Sequence, residues 1–107
     1  MTTIELFKEL SKSPKTLDKF VIWYSNVYVV NINILITTYH VDYCIGVFIR
    51  YFYNKGIIVS ATDFFSVYYY TSTNEELGHI SIKDKKDPSE LYCLSIIELF
   101  KYLENPF

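Results

Sequence analysis

The chain is poor in the residues that bend, cross-link or loosen a backbone. Among 107 residues there are 3 Gly, 3 Pro, 2 Cys and a single Ala, and glutamine is absent. So little glycine and proline excludes collagen-like and disordered classes. Cys44 and Cys93 stand far apart, match no zinc or redox spacing, and have apolar flanks. One pair could make one disulfide, but isolated apolar-flanked cysteines are more often reduced core thiols, which is the expectation here. Basic residues are not in excess: 10 Lys+Arg face 12 Asp+Glu, a formal net charge of −2, and the pI is near 5.6. A dedicated duplex-DNA binder would be basic. No glycosylation sequon occurs, and no charged segment leads into a short apolar one at the N-terminus, so the expected compartment is the cytoplasm. Gly-rich phosphate loops, nucleophile elbows and His-Glu-x-x-His motifs are missing too.

Charge is also missing from Phe20 to Val41, a run of 22 residues. That length would cross a bilayer. Ser25, Asn26, Asn31, Asn33, Thr37 and Thr38 interrupt it, and each buried amide would need a partner in hydrocarbon. Its second half alternates like a strand, so the expectation is a soluble protein with no membrane contact.

What is abundant is apolar and aromatic: 50% of residues are hydrophobic, and 11 Tyr, 8 Phe and 1 Trp make 19% aromatic. A chain of this length buries roughly two thirds of its unfolded surface as one domain, here 1–107. Fourteen of the 20 aromatics, nine of them Tyr, fall in residues 21–70. Wealth in Ile, Asn, Lys, Tyr and Phe is what an AT-rich coding sequence produces, which implies a low-GC bacterium, its phage or a plasmid.

The elements follow from periodicity. Thr2 and Glu5 form a capping-box pattern ahead of the apolar face Ile4, Leu6, Phe7 and Leu10. Ser13-Pro14 breaks that helix and starts a second, to about Tyr24, through Leu17, Phe20, Val21 and Tyr24. Val30, Ile32, Ile34 and Ile36 then alternate with Asn31, Asn33, Leu35 and Thr37, and Ile45 to Phe52 carry bulk on both faces. Both read as strands. Asn54-Lys55-Gly56 predicts a hairpin into Ile57–Ala61, Thr62-Asp63 a turn into Phe64–Thr71, and residues 72–76 a last hairpin to Gly78–Lys83. Asp87-Pro88-Ser89-Glu90 caps a final apolar helix to about Leu103. The expected fold is α+β: two N-terminal helices, a five-stranded antiparallel meander, and one C-terminal helix packed on one sheet face.

Candidate chemistry is sparse. His40, Asp42 and Cys44 stand at i, i+2 and i+4, and on one strand they would share a face able to bind zinc. A hairpin end with a packed Cys is the plainer reading. A thiol nucleophile would need Cys44 with His40 or His79, and no motif surrounds either cysteine. Glu75 and Glu76 sit in a polar loop as turn residues. Gly46 to Tyr51 resembles the aromatic strand of an RNA-recognition module, but the element order differs and no basic groove accompanies it.

The aromatic strands carry the most weight. Tyr51, Tyr53, Tyr68 and Tyr70 alternate along their strands, with the single Arg50 beside them. Tyr and Arg at an exposed sheet face are common binding anchors. Seven acids against four Lys in residues 71–107 add an acidic C-terminal surface. The expected function is a non-enzymatic protein-interaction module that inhibits or modulates a larger protein or nucleoprotein, as an anti-defence inhibitor or immunity-type protein would. Its expected contacts are Arg50, Tyr51, Tyr53, Tyr68, Tyr70, Glu75 and Glu76, with no cofactor, metal or catalytic residue. The alternatives are homodimerisation through the same face, or a small metal or thiol protein using His40, Asp42 and Cys44.

Overall fold

The computed structural model describes residues 1–63, 66–71, 73, 75–81 and 87–105. Its element order is α1 (Thr3–Leu10), α2 (Pro14–Tyr28), α3 (Ile32–Thr38), α4 (Val41–Asn54), β1 (Ile57–Asp63), β2 (Ser66–Thr71), β3 (Glu76–Ser81) and α5 (Pro88–Glu104). The class is α+β, but the sheet has three strands, not five, and four helices precede it.

The capping signals read from the sequence are met at both ends of the chain. The Thr2 hydroxyl accepts from the Glu5 N–H while the Glu5 carboxylate accepts from the Thr2 N–H, closing the capping box of α1. Asp87 accepts from Ser89 N–H at 3.1 Å ahead of Pro88, so α5 also starts where its caps place it. At α2, Ser13 holds the N-cap position without a side-chain bond. The caps come instead from the far end of the chain: the Glu104 carboxylate accepts from Thr16 N–H (2.8 Å), Thr16 Oγ1 (2.9 Å) and Lys15 N–H (3.3 Å). Desolvation pushes the Glu104 pKa up, but these donated bonds outweigh it and hold the carboxyl below its ordinary value.

Two expected strands are helices. In α4 the buried positions Val41, Cys44, Ile45, Phe48, Tyr51 and Phe52 repeat at three, four and seven residues, a helical face. Alternation over Ile45–Phe52 is ambiguous because nearly every position there is apolar, so periods of 2 and 3.6 both fit. The His40 ring accepts from Asp42 N–H at 3.1 Å and caps the helix start. At its other end Gly56 has φ 76°. The glycine read as a hairpin turn therefore closes a helix, since a left-handed residue serves either role. The Val30–Ile36 alternation ends in the short α3, which starts at Ile32 and buries only Leu35, and Asn31 caps it by accepting from Asn33 N–H at 2.8 Å. Helix α2 runs four residues beyond the expected end at Tyr24.

The remaining strands form the expected meander in the order β1-β2-β3, all antiparallel. Thr62 and Asp63, expected as a turn, lie in β1, and Glu76, expected as a turn residue, opens β3 and pairs with Tyr70. The expected strand start at Phe64–Phe65, the hairpin residues Ser72 and Asn74, and the strand end at Ile82–Lys83 lie outside the described residues. Helix α4 packs on β1, and α5 packs on β2 and β3. Beyond them lies a ring cluster that gathers nine of the 20 aromatic residues. Phe20 stacks on Phe48 at 4.3 Å and meets the Tyr51 edge at 5.1 Å, while Phe100 contacts Phe48 and Phe52 at 5.6 and 5.9 Å. Such pairs add about 0.5–1.5 kcal/mol each beyond burial.

Among the described residues no single helix is long and apolar enough to cross a membrane. The uncharged run is instead divided between α2 and α3, which meet at 93°. The residue ahead of the bend, Val29, has φ 54° and is 85% exposed. A β-branched residue in that region is strained.

Candidate functional site: an open sheet face and a helix groove

The register of the meander sorts its side chains onto two faces. On one, Val59 stands opposite Tyr69, which stands opposite Gly78, and Val67 stands opposite Ile80. Val59, Val67 and Tyr69 are buried there, on the side the helices cover. Burial, reinforced by the Glu98 charge, pushes the Tyr69 pKa up. A Cβ at Gly78 would lie 2.7–2.8 Å from the end of the Tyr69 ring, so the ring occupies the space a side chain would need.

The other face carries two cross-strand rows: Ile58, Tyr70 and Glu76 in one, Ser60, Tyr68 and His79 in the next. Four of these are half-buried and Glu76 and His79 are exposed. A bulge shapes the face. Tyr69 pairs with Gly78 but Tyr70 with Glu76, leaving Leu77 as the extra residue, packed against the core. In regular alternation residues 76 and 79 would point to opposite faces; the extra residue brings them together. The Glu76 carboxylate therefore sits 3.0 Å from His79 Nδ1, and the His79 ring stacks on Tyr68 at 5.0 Å and 25°.

The expected contact residues divide between this face and α4. Tyr68, Tyr70 and Glu76 share the open face, and Glu75 lies beside it in the hairpin, its N–H bonded to Thr71 Oγ1 at 3.1 Å. Arg50, Tyr51 and Tyr53 are helical and do not lie on the sheet. Tyr51 is 1% exposed, deep in the ring cluster. Its hydroxyl has no hydrogen-bond partner among the described residues, and burial pushes its pKa to about 12.

Arg50 and Tyr53 instead line a second feature, a groove of about 330 Å³ between α2 and the end of α4 that also includes Trp23, Val27 and Asn54. Arg50 Nη1 donates to Tyr28 Oη at 3.4 Å, and the guanidinium lies 5.5 Å from the centre of that ring. A strand over residues 45–52 would not form this groove, so the alternation hides it. Helical spacing is its signal, since Trp23 and Val27, and Arg50, Tyr53 and Asn54, are separated by three or four residues.

The expected metal or thiol constellation is not assembled. His40 is exposed at the N-cap, Cys44 is fully buried, and the Asp42 carboxylate accepts from Ser89 Oγ on α5. No group of three metal-ligating side chains occurs among the described residues. Both thiols are free. Burial raises the Cys44 pKa, and burial with the Glu90 charge raises that of Cys93 to about 11.

The acidic C-terminal third is largely engaged within the chain. Asp87 caps α5, Glu90 pairs with the Met1 ammonium, Glu98 meets Lys101 at 3.4 Å, and Glu104 caps α2. Asp84 lies outside the described residues. No family model, curated protein or solved structure matches this chain.

Proposed function

We propose that this protein is a binding module that acts by occupying the surface of a larger macromolecular partner, with the open sheet face as its contact. One observation carries the reading: Ile58, Tyr68, Tyr70, Ser60, Glu76 and His79 form one contiguous patch on the face opposite the helices. Two rigid aromatic side chains with few rotamers give a large contact area at low entropic cost, and their hydroxyls can still hydrogen-bond at the rim. A binding role in place of catalysis is supported by the thiols, which are buried and held protonated where a nucleophile would have to be accessible and ionised. Inhibition or modulation of the partner, in the manner of an anti-defence or immunity-type protein, is the consequence of such occupancy.

Quantitative tagged co-purification, comparing wild type with Tyr68→Ala/Tyr70→Ala, tests this. A protein enriched at fixed stoichiometry by wild type and lost with the variant, whose folding by circular dichroism is retained, supports the reading. Equal enrichment by both sinks it. A dimer by analytical ultracentrifugation that the same variant dissociates would replace it with self-association through this face.

A further inference from the structure

We propose that the groove between α2 and the end of α4 docks an acidic side chain of a partner protein, an Asp or Glu carried next to an apolar side chain. The site is separate from the open sheet face and stands on its own observations.

Arg50 is the only arginine, and with Lys55 the only cation in residues 20–82. Among the described residues, Lys12 and Lys101 have carboxylates at 3.0 and 3.4 Å, Lys8, Lys15 and Lys19 make no ion pair, and Lys55 Nζ lies over the Tyr51 ring at 5.1 Å. Among the described residues no carboxylate meets Arg50. Its contacts are with Tyr28, hydroxyl and ring face, and both hold the guanidinium without neutralising it. A guanidinium already held beside Tyr28 loses less freedom when it forms its paired bonds to a carboxylate. The chain as a whole is acidic, so this groove is a local reversal of sign, suited to an anionic group.

The lining indicates what accompanies the charge. Trp23 and Val27 offer apolar surface, Tyr53 is 70% exposed, and Asn54 adds an amide. Trp, Tyr and Arg are the residues that most often dominate interface energetics. A volume of about 330 Å³ lies at the small end for ligand pockets. It suits one or two side chains better than a cofactor. A chain-terminal carboxylate carries the same chemistry, but such ends are captured by clusters of backbone N–H groups. This groove lies at the C-terminal end of α4, where the backbone presents carbonyls and not N–H groups. Any carboxylate entering it therefore depends on the Arg50 guanidinium to offset the negative end of the helix dipole.

The test uses the whole protein labelled with ¹⁵N, observing the side-chain N–H signals of Trp23, Arg50 and Asn54. Three probes are titrated: the capped tripeptide acetyl-Leu-Glu-Leu-amide, its Gln counterpart, and acetyl-Leu-Leu-Leu with a free terminal carboxylate. The Glu peptide is expected to shift all three signals saturably, about tenfold more tightly than the Gln peptide, as a charge-assisted pair allows. Raising the salt from about 50 to about 300 mM should weaken it. Arg50→Gln, at an exposed position, should remove the discrimination while leaving the rest of the spectrum in place. Tyr28→Phe should reduce it. Equal binding of the Gln peptide overturns the proposal, as does tighter binding of the free-carboxylate peptide. So does discrimination that survives Arg50→Gln, or no saturable shift up to about 5 mM peptide.

Discussion

Replacing Tyr51 by Phe should make this protein more stable. The Tyr51 side chain is fully buried, and its hydroxyl has no partner among the described residues. A buried hydroxyl that forfeits its water bonds without replacement costs about 1–3 kcal/mol. The ring's contacts with Phe20, Trp23 and Phe52, at centroid distances of 5.1, 5.2 and 5.6 Å, involve carbon atoms that Phe also has. So does the Lys55 contact at 5.1 Å, because it is made to the ring. The small void left by the oxygen takes back a few tenths of a kcal/mol. The net expectation is a gain of about 1–2 kcal/mol, or a rise in Tm of about 4–8 °C at the lower figure. Urea unfolding followed by circular dichroism measures it, with an unchanged m-value as the check that only stability moved. Trp23 fluorescence is the poorer probe because its ring touches the altered residue. A loss of about 1 kcal/mol or more on Tyr51→Phe would refute the reasoning, since it would mean the hydroxyl is bonded in the folded state. Tyr51→Leu serves as the contrast: it removes the ring contacts and should cost about 2–4 kcal/mol.

Four further perturbations follow from single residues. Gly46 is exposed in the middle of α4, and a methyl group added there would meet nothing within 4 Å, so Gly46→Ala should stabilise by about 0.5–1 kcal/mol in thermal unfolding. Val29→Gly should gain about 1–2 kcal/mol by releasing the left-handed strain at φ 54°. Gly78→Ala should instead cost about 1–3 kcal/mol, and Tyr69→Leu in the same chain should recover part of it, a coupling that a double-mutant cycle detects. Cys93 supplies a pH dependence. Its pKa is raised from 9.0 to about 11, so the folded state holds a proton that the unfolded state releases first. Stability from this group is complete below pH 9 and falls as the pH rises from about 9 to about 11, by a total of about 2–3 kcal/mol. Cys93→Ala should flatten that part of an alkaline unfolding profile; an unchanged profile would contradict it.

Where local chemistry alone decides, the sequence was sufficient. The Thr2–Glu5 box and the Asp87-Pro88 start needed only residues three or four apart, so α1 and α5 lie where their caps put them. The antiparallel pairing of the last three strands was legible, though the same reliance on short connections wrongly extended the meander to five strands. Tyr68 and Tyr70 were bound to share a face once β2 was a strand.

Residues 30–54 were different. Nearly every position of Ile45–Phe52 is apolar and so satisfies both periods, and Gly56 in the left-handed region suits a hairpin or a helix end equally well. The choice belonged to packing: as a helix, α4 brings Phe48, Tyr51 and Phe52 against Phe20 and Phe100, a ring cluster that a strand would have split between two faces. The same choice buried Tyr51 and put Arg50 across from Tyr28 and Trp23. Likewise Glu104 caps α2 from a distance of 88 residues, and one extra residue in β3 turns Glu76 and His79 to the same side. The residues able to bind were present in the sequence from the start. Which of them face outward together is a consequence of long-range packing, because burial depends on neighbours that lie far away along the chain.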